Sequence, residues 1–188
     1  MTDELTPNQR RLLLRLARTT LEERLDSSPA PPPPPTEGTL SEPRGAFVTL
    51  TVDGKLRGCI GHVVAVEPLW RSVRDNALSA ALHDPRFPAL TGDELPSVAI
   101  EISVLSPLRL VTSADEVEVG RHGLVIERGR RRGLLLPQVA TDYGWDVPTF
   151  LDHTCRKAGL PPGAWQADDA TVYTFTAEVF SEAGEGMI

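Results

Sequence analysis

Cys59 stands between two glycines in the run Leu56-Arg57-Gly58-Cys59-Ile60-Gly61. A thiol flanked by glycines is open to close approach by a ligand or by another stretch of backbone. On a strand, Arg57 projects from the same face as Cys59, with Leu56 and Gly58 on the other; there Arg57 can favour the thiolate or hold an anion. This points to nucleophilic chemistry or anion binding. The same residues also describe a small buried cysteine with glycines marking a bulge, and the local sequence leaves both readings open.

A cysteine nucleophile needs a base. The chain offers four histidines, His62, His83, His122 and His153. His122-Gly123 reads as a tight turn ahead of a strand, a place for an exposed imidazole, so His122 is the candidate acid/base; a loop histidine bonded to backbone is the plainer alternative. His153 falls on a helix and reads as surface. His62 makes Cys59-x-x-His62, half a zinc set by residue type. Cys155 is the one other cysteine, so no second close pair completes it, and neither a metal nor a cofactor is expected. Asp84-Pro85-Arg86-Phe87-Pro88 puts opposite charges on a rigid loop. Arg86 either meets a phosphate or carboxylate there, or pairs with Asp84 and holds the loop. Arg130-Arg131-Arg132 reads first as a solvated hairpin tip, with phosphate binding as the lesser reading. The sequence contains no Walker loop, no dinucleotide-binding glycine pattern, no radical-SAM cysteine triad and no zincin motif.

The elements that must position these residues follow from pattern. Thr6-Pro7-Asn8-Gln9 is a capping box with proline at the first helical position, opening a helix to about Leu25. Residues 27–43, with prolines 31–35 in a row, read as a polyproline linker or loop. Gly45 to Val52 is β-rich, Asp53-Gly54 is a hairpin turn, and Lys55 to Gly61 is the returning strand. Glu67-Pro68 opens a helix to about His83. Alternation through Val98, Ile100, Ile102 and Val104 predicts a half-buried strand, and Glu116 to Val119 another short one. Gly123–Glu127 and Gly133–Leu136 form a hairpin around the arginines. Asp146 caps a helix that Gly159 ends. Thr171 to Phe180 is the last strand, with Tyr173, Phe175, Ala177 and Val179 on one face. Hairpin strands mixed with helices predict an α+β fold with a mostly antiparallel sheet.

A chain of 188 residues, 40% of them hydrophobic, can build one domain or one domain with a small subdomain. The net charge of −7 argues against clamping nucleic acid by bulk charge and leaves a local basic groove as the route to it. No apolar run approaches the roughly 20 residues that span a bilayer. The N-terminus lacks the apolar stretch of a secretory signal. The expectation is a cytoplasmic protein with Cys59 and Cys155 reduced.

Several segments together resemble the AMMECR family, in the prokaryotic form called AmmeMemoRadiSam system protein A. They are Gly45-Ala-Phe-Val-Thr-Leu50, Asp53-Gly-Lys-Leu-Arg-Gly-Cys-Ile-Gly61, Asp84-Pro-Arg-Phe-Pro-Ala-Leu90, Glu94-Leu-Pro96, Gly120-Arg-His-Gly-Leu124, Gly133-Leu-Leu-Leu-Pro-Gln-Val-Ala140 and Cys155-Arg-Lys-Ala-Gly-Leu160. The resemblance implies a larger α/β part, a smaller β-rich part and a cleft between them. It maps the family motif onto Arg57, Gly58, Cys59, Ile60 and Gly61, with Asp84, Arg86, Phe87, His122, Gly123, Pro137 and Gln138 as further matching positions. On this reading residues 1–26 form a helix packed on an AMMECR-like domain over 44–188, with 27–43 as the linker. The resemblance also implies a pathway shared with a Memo-like protein and a radical-SAM protein, but it supplies no reaction. His62 departs from the family's usual threonine after Gly-Cys-Ile-Gly.

Three functions stay in play. One is an enzyme or catalytic partner using Cys59, Arg57 and His122 on a small anionic or nucleotide-like substrate. The second is a non-catalytic module that binds a ligand or protein through Arg57, Gly58, Ile60, Gly61, His62, Asp84, Arg86 and Gln138. The third and weakest is RNA binding through Arg57, Arg86 and Arg130–Arg132.

Overall fold

Gln9 Oε1 accepts the Thr6 backbone N–H at 2.8 Å and the Gln9 N–H returns to Thr6 Oγ1 at 3.3 Å, which starts α1 (Pro7–Asp26) at the expected capping box. The computed structural model describes residues 4–26 and 38–188, so the five-proline run lies outside the described residues. The chain divides into two units, residues 1–105 with Glu178–Ile188, and Ser106–Ala177.

The first unit holds a four-stranded sheet in the order β2-β1-β3-β8. Its strands are β1 (Ala46–Val52), β2 (Lys55–His62), β3 (Val98–Leu105) and β8 (Ala177–Ser181). β1 runs antiparallel to both β2 and β3. Alternation buries Ala46, Val48 and Leu50 of β1 with Ile100, Ile102 and Val104 of β3. They pack with Leu13, Leu14, Ala17 and Leu21 of α1, and with Leu69, Val73, Ala77 and Ala80 of α2 (Leu69–Leu82). Glu182, almost wholly buried, accepts from Arg18 Nε and from the Ile100 N–H, both at 2.9 Å, and so ties α1 to β3.

Asp53 and Gly54 turn between β1 and β2 with φ of 51° and 72°, the left-handed pair that a two-residue I′ hairpin demands. An unbroken ladder from that turn would pair Arg57 with Leu50 and drive the guanidinium into the core. A bulge prevents it. The register passes from Thr51 opposite Leu56 to Leu50 opposite Gly58, leaving Arg57 as the extra residue. Leu56, expected with Gly58, therefore shares its face with Thr51 and is exposed, while Gly58 turns inward. A Cβ on Gly58 would sit 2.1 Å from the Ala80 carbonyl oxygen, so glycine is what lets β2 lie against α2.

The second unit has the sheet order β4-β7-β5-β6. Its strands are β4 (Arg109–Val111), β5 (Gly123–Arg128), β6 (Arg131–Leu135) and β7 (Ala170–Phe175). Helices α3 (Pro137–Asp142) and α4 (Val147–Lys157) flank it. Asp146 caps α4 by accepting the Thr149 N–H at 3.0 Å, and Gly159 follows the helix with φ 71°. Phe150, Leu151 and Cys155 of α4 pack with Leu124, Ile126 and Val172 of the sheet.

The architecture is α+β, with two antiparallel sheets flanked by helices. Two strand expectations are corrected. Residues 117–119 form no strand; a 3-10 turn, Ala114–Glu116, precedes them, and Glu116 caps it through the Ser113 N–H at 3.1 Å. The run from Thr171 to Phe180 is two strands in two sheets. It breaks at Thr176, whose N–H donates to Ser106 Oγ and whose carbonyl accepts the Ser106 N–H, both at 2.9 Å. Phase is lost there, so Val179 is exposed and Phe180 buried.

Candidate functional site

β2 is an edge strand, and an edge leaves outward N–H and C=O groups without partners. At Cys59 both groups are satisfied by one loop. The Cys59 N–H donates to Asp84 Oδ2 at 2.9 Å, and Arg86 Nη2 donates to the Cys59 carbonyl at 3.3 Å. A carboxylate and a guanidinium thus stand in for the C=O and N–H of a neighbouring strand. Asp84 is held in turn by Arg86, through the backbone N–H at 3.0 Å, Nε at 3.0 Å and Nη2 at 2.7 Å. The Asp84 side chain is 2% exposed and that of Arg86 53%. The Arg86 guanidinium, with the Cys59 and Arg86 N–H groups, holds the Asp84 carboxyl well below the usual carboxylate range despite its burial. Asp84 raises the Arg86 pKa in return.

The Cys59 side chain is half-buried and faces Thr49, directly opposite in the register. Thr49 Oγ1 donates to Cys59 Sγ at 3.3 Å. The bulged Arg57 goes elsewhere. Its Nε and Nη2 grip Glu94 at 2.9 and 3.1 Å, and its Nη1 donates to the Pro88 carbonyl at 3.0 Å. Glu94 belongs to the 3-10 turn Gly92–Ser97 and also accepts the Thr91 N–H. The Arg57 hydrogen bonds, then that of Thr91, bring the Glu94 carboxyl down to about 2. Arg57 is thus committed to a bidentate pair with no net charge. The guanidinium carbons of Arg57 and Arg86 lie 6.0 and 5.6 Å from the centroid of the Phe87 ring.

The structure brings Arg57, Gly58, Cys59, Asp84, Arg86 and Phe87 together. Gly61 lies under the Phe47 ring, where a Cβ would come within 2.3 Å of it. Ile60 packs half-buried on the core and His62 is exposed at the end of β2. His122 and Gln138 belong to the second unit. Gln138 is exposed in the first turn of α3. His122 corrects the expectation of an exposed imidazole. It is buried, and its Nδ1 accepts the Glu118 N–H at 3.1 Å. Burial pushes its pKa down. Cys155 is fully buried and burial pushes its thiol up. His153, read as surface, is half-buried and stacks on Trp145 at 3.9 Å between ring centroids.

Two site residues escaped the sequence reading. Thr49 would have been found by counting back from Asp53-Gly54 only with the bulge known, because an unbroken ladder pairs Thr49 with Gly58. Glu94 carried a clearer signal, since Thr91 and Glu94 have the spacing of a capping box.

An α+β protein whose hairpin edge is closed by an Asp–Pro–Arg loop over a Gly-Cys-Ile-Gly strand defines the class. The chain belongs to the AMMECR1 family, whose model matches residues 14–180. It is 42% identical to Protein MK0488 of Methanopyrus kandleri, covering 97% of this chain and 92% of that protein. It is 44% identical to a protein of Methanothermobacter thermautotrophicus, over 96% of this chain and 97% of the relative. Among solved structures it matches the uncharacterized protein PH0010 from Pyrococcus horikoshii with TM-score 0.76 and 41% identity, covering 93% of this chain and 91% of that one. No helix among the described residues is long and apolar enough to cross a membrane.

Proposed function

We propose that this chain is a binding module whose first unit receives a small anionic or nucleotide-like ligand beside Cys59, and that Cys59 lines the site without forming a bond to it. One observation carries the reading: both guanidinium groups near Cys59 are matched by carboxylates, Arg57 by Glu94 and Arg86 by Asp84. What remains for a ligand is the exposed edge of Arg86, whose Nη1 meets no acceptor among the described residues, and the half-buried Phe87 ring. That pairing suits an anionic group attached to a planar body. Following the family resemblance, the module works beside a Memo-like protein and a radical-SAM protein.

The Thr49 hydroxyl on Sγ favours a second reading, in which Cys59 is a thiolate nucleophile stabilised by that hydrogen bond. Native mass spectrometry after incubation with a metabolite extract separates the two. The binding reading expects a non-covalent adduct that Cys59→Ser retains and Arg86→Lys loses, since lysine keeps the charge but not the planar fork. An adduct that survives denaturation and maps to Cys59 contradicts it.

A further inference from the structure

The second unit carries a basic cavity that the Cys59 site does not use. Its volume is about 410 Å³, and Arg128, Gly129, Arg130, Arg131, Leu160, Pro161 and Asp169 line it. The hairpin between β5 and β6 creates it. Gly129, with φ 60°, takes the first turn position, so Arg128 and Arg131 end the two strands side by side with Arg130 between them. The three arginines are held differently. Arg128 Nε pairs with Asp169 at 2.8 Å. Arg131 Nη1 donates to the Gly159 carbonyl at 2.6 Å, a neutral acceptor that leaves its charge uncompensated. Arg130 is exposed and makes no hydrogen bond or ion pair among the described residues. Three cations against one carboxylate leave a local charge of about +2. The chain as a whole carries −7, so this cationic cluster runs against its average.

We infer that this cavity binds the phosphate or diphosphate group of a small metabolite. Guanidinium forks suit phosphate oxygens, and the Gly159 carbonyl orients one fork in advance. Leu160 and Pro161 add an apolar wall for the body of the ligand. The volume falls within the roughly 300–1,000 Å³ of small-molecule pockets. RNA is disfavoured as the occupant by the net charge of the chain.

Isothermal titration of the full-length protein with inorganic pyrophosphate, and separately with ADP, tests the inference. Both should bind saturably, ADP at least as tightly. Arg130→Gln should weaken both about tenfold, the loss of one charge-assisted hydrogen bond. Asp169→Asn should strengthen them by a few-fold, because it removes the one carboxylate and frees Arg128. Arg121→Gln, elsewhere in the same unit, should change nothing. The two opposite shifts distinguish a site from a loss of folding. Absence of saturable binding at millimolar pyrophosphate would overturn the inference. So would an equal effect of Arg121→Gln, or tighter binding of a single-stranded RNA than of ADP that Arg130→Gln abolishes.

Discussion

The backbone N–H of Cys59 donates to the carboxylate of Asp84 at 2.9 Å. An edge strand is thereby closed by a side chain, and the thiol-bearing residue is held at one position on the sheet. Asp84→Ala removes the acceptor and leaves both this N–H and that of Arg86 without a partner. The expected outcome is loss of hydrogen-exchange protection at the Cys59 amide by about tenfold or more, the equivalent of one lost hydrogen bond. Unchanged protection at that amide would show that the loop does not hold the edge.

Gly58→Ala should destabilise the protein by about 1–3 kcal/mol, as overpacking does, because the added methyl meets the Ala80 backbone oxygen and not a movable side chain. Urea unfolding checks this. A variant within about 0.5 kcal/mol of the parent, the range of an ordinary surface substitution, would mean that β2 and α2 separate freely.

Much of this arrangement was legible in the residues. Asp53-Gly54, the Thr6–Gln9 capping box and the opposite charges of Asp84 and Arg86 announce themselves because each depends on neighbours in sequence; the boxes at Thr91–Glu94 and Ser113–Glu116 went unread. The Arg57 bulge did not, because period-two alternation assumes an unbroken ladder and the core decides otherwise: Leu50 is buried, and a guanidinium cannot sit opposite it. His122 misled for a similar reason. Its turn is closed by its own imidazole accepting the Glu118 N–H, which draws the ring inward. The sheet change at Thr176 depends on Ser106, 70 residues away, and no local pattern contains it.

His122 should make stability depend on pH. Burial favours its neutral form, and only an unprotonated Nδ1 can accept the Glu118 N–H. Its contribution is therefore intact above the unfolded histidine pKa of about 6.5 and is lost as pH falls from there toward the lowered folded value. Urea midpoints between pH 8 and 5 should fall for the parent and flatten for His122→Gln. Identical slopes would remove His122 as the cause. Glu94 acts in a lower window, its contribution being lost as pH falls from about 4 toward its folded value of about 2.

The two thiols should differ in access. Iodoacetamide should label Cys59 in the native protein and reach the fully buried Cys155 only after denaturation. Peptide mapping by mass spectrometry reads this directly. Native labelling of Cys155 at the rate of Cys59 would contradict the packing of α4 on its sheet.

Whether the Cys59 face binds without reacting, as proposed, is decided in the cell. The most direct measurement is complementation of a strain deleted for this protein, with Cys59→Ser and Arg86→Lys expressed to equal levels. Cys59→Ser is expected to restore function and Arg86→Lys to fail. A folded Cys59→Ser protein that fails while Arg86→Lys succeeds would contradict the account and assign the chemistry to the thiol.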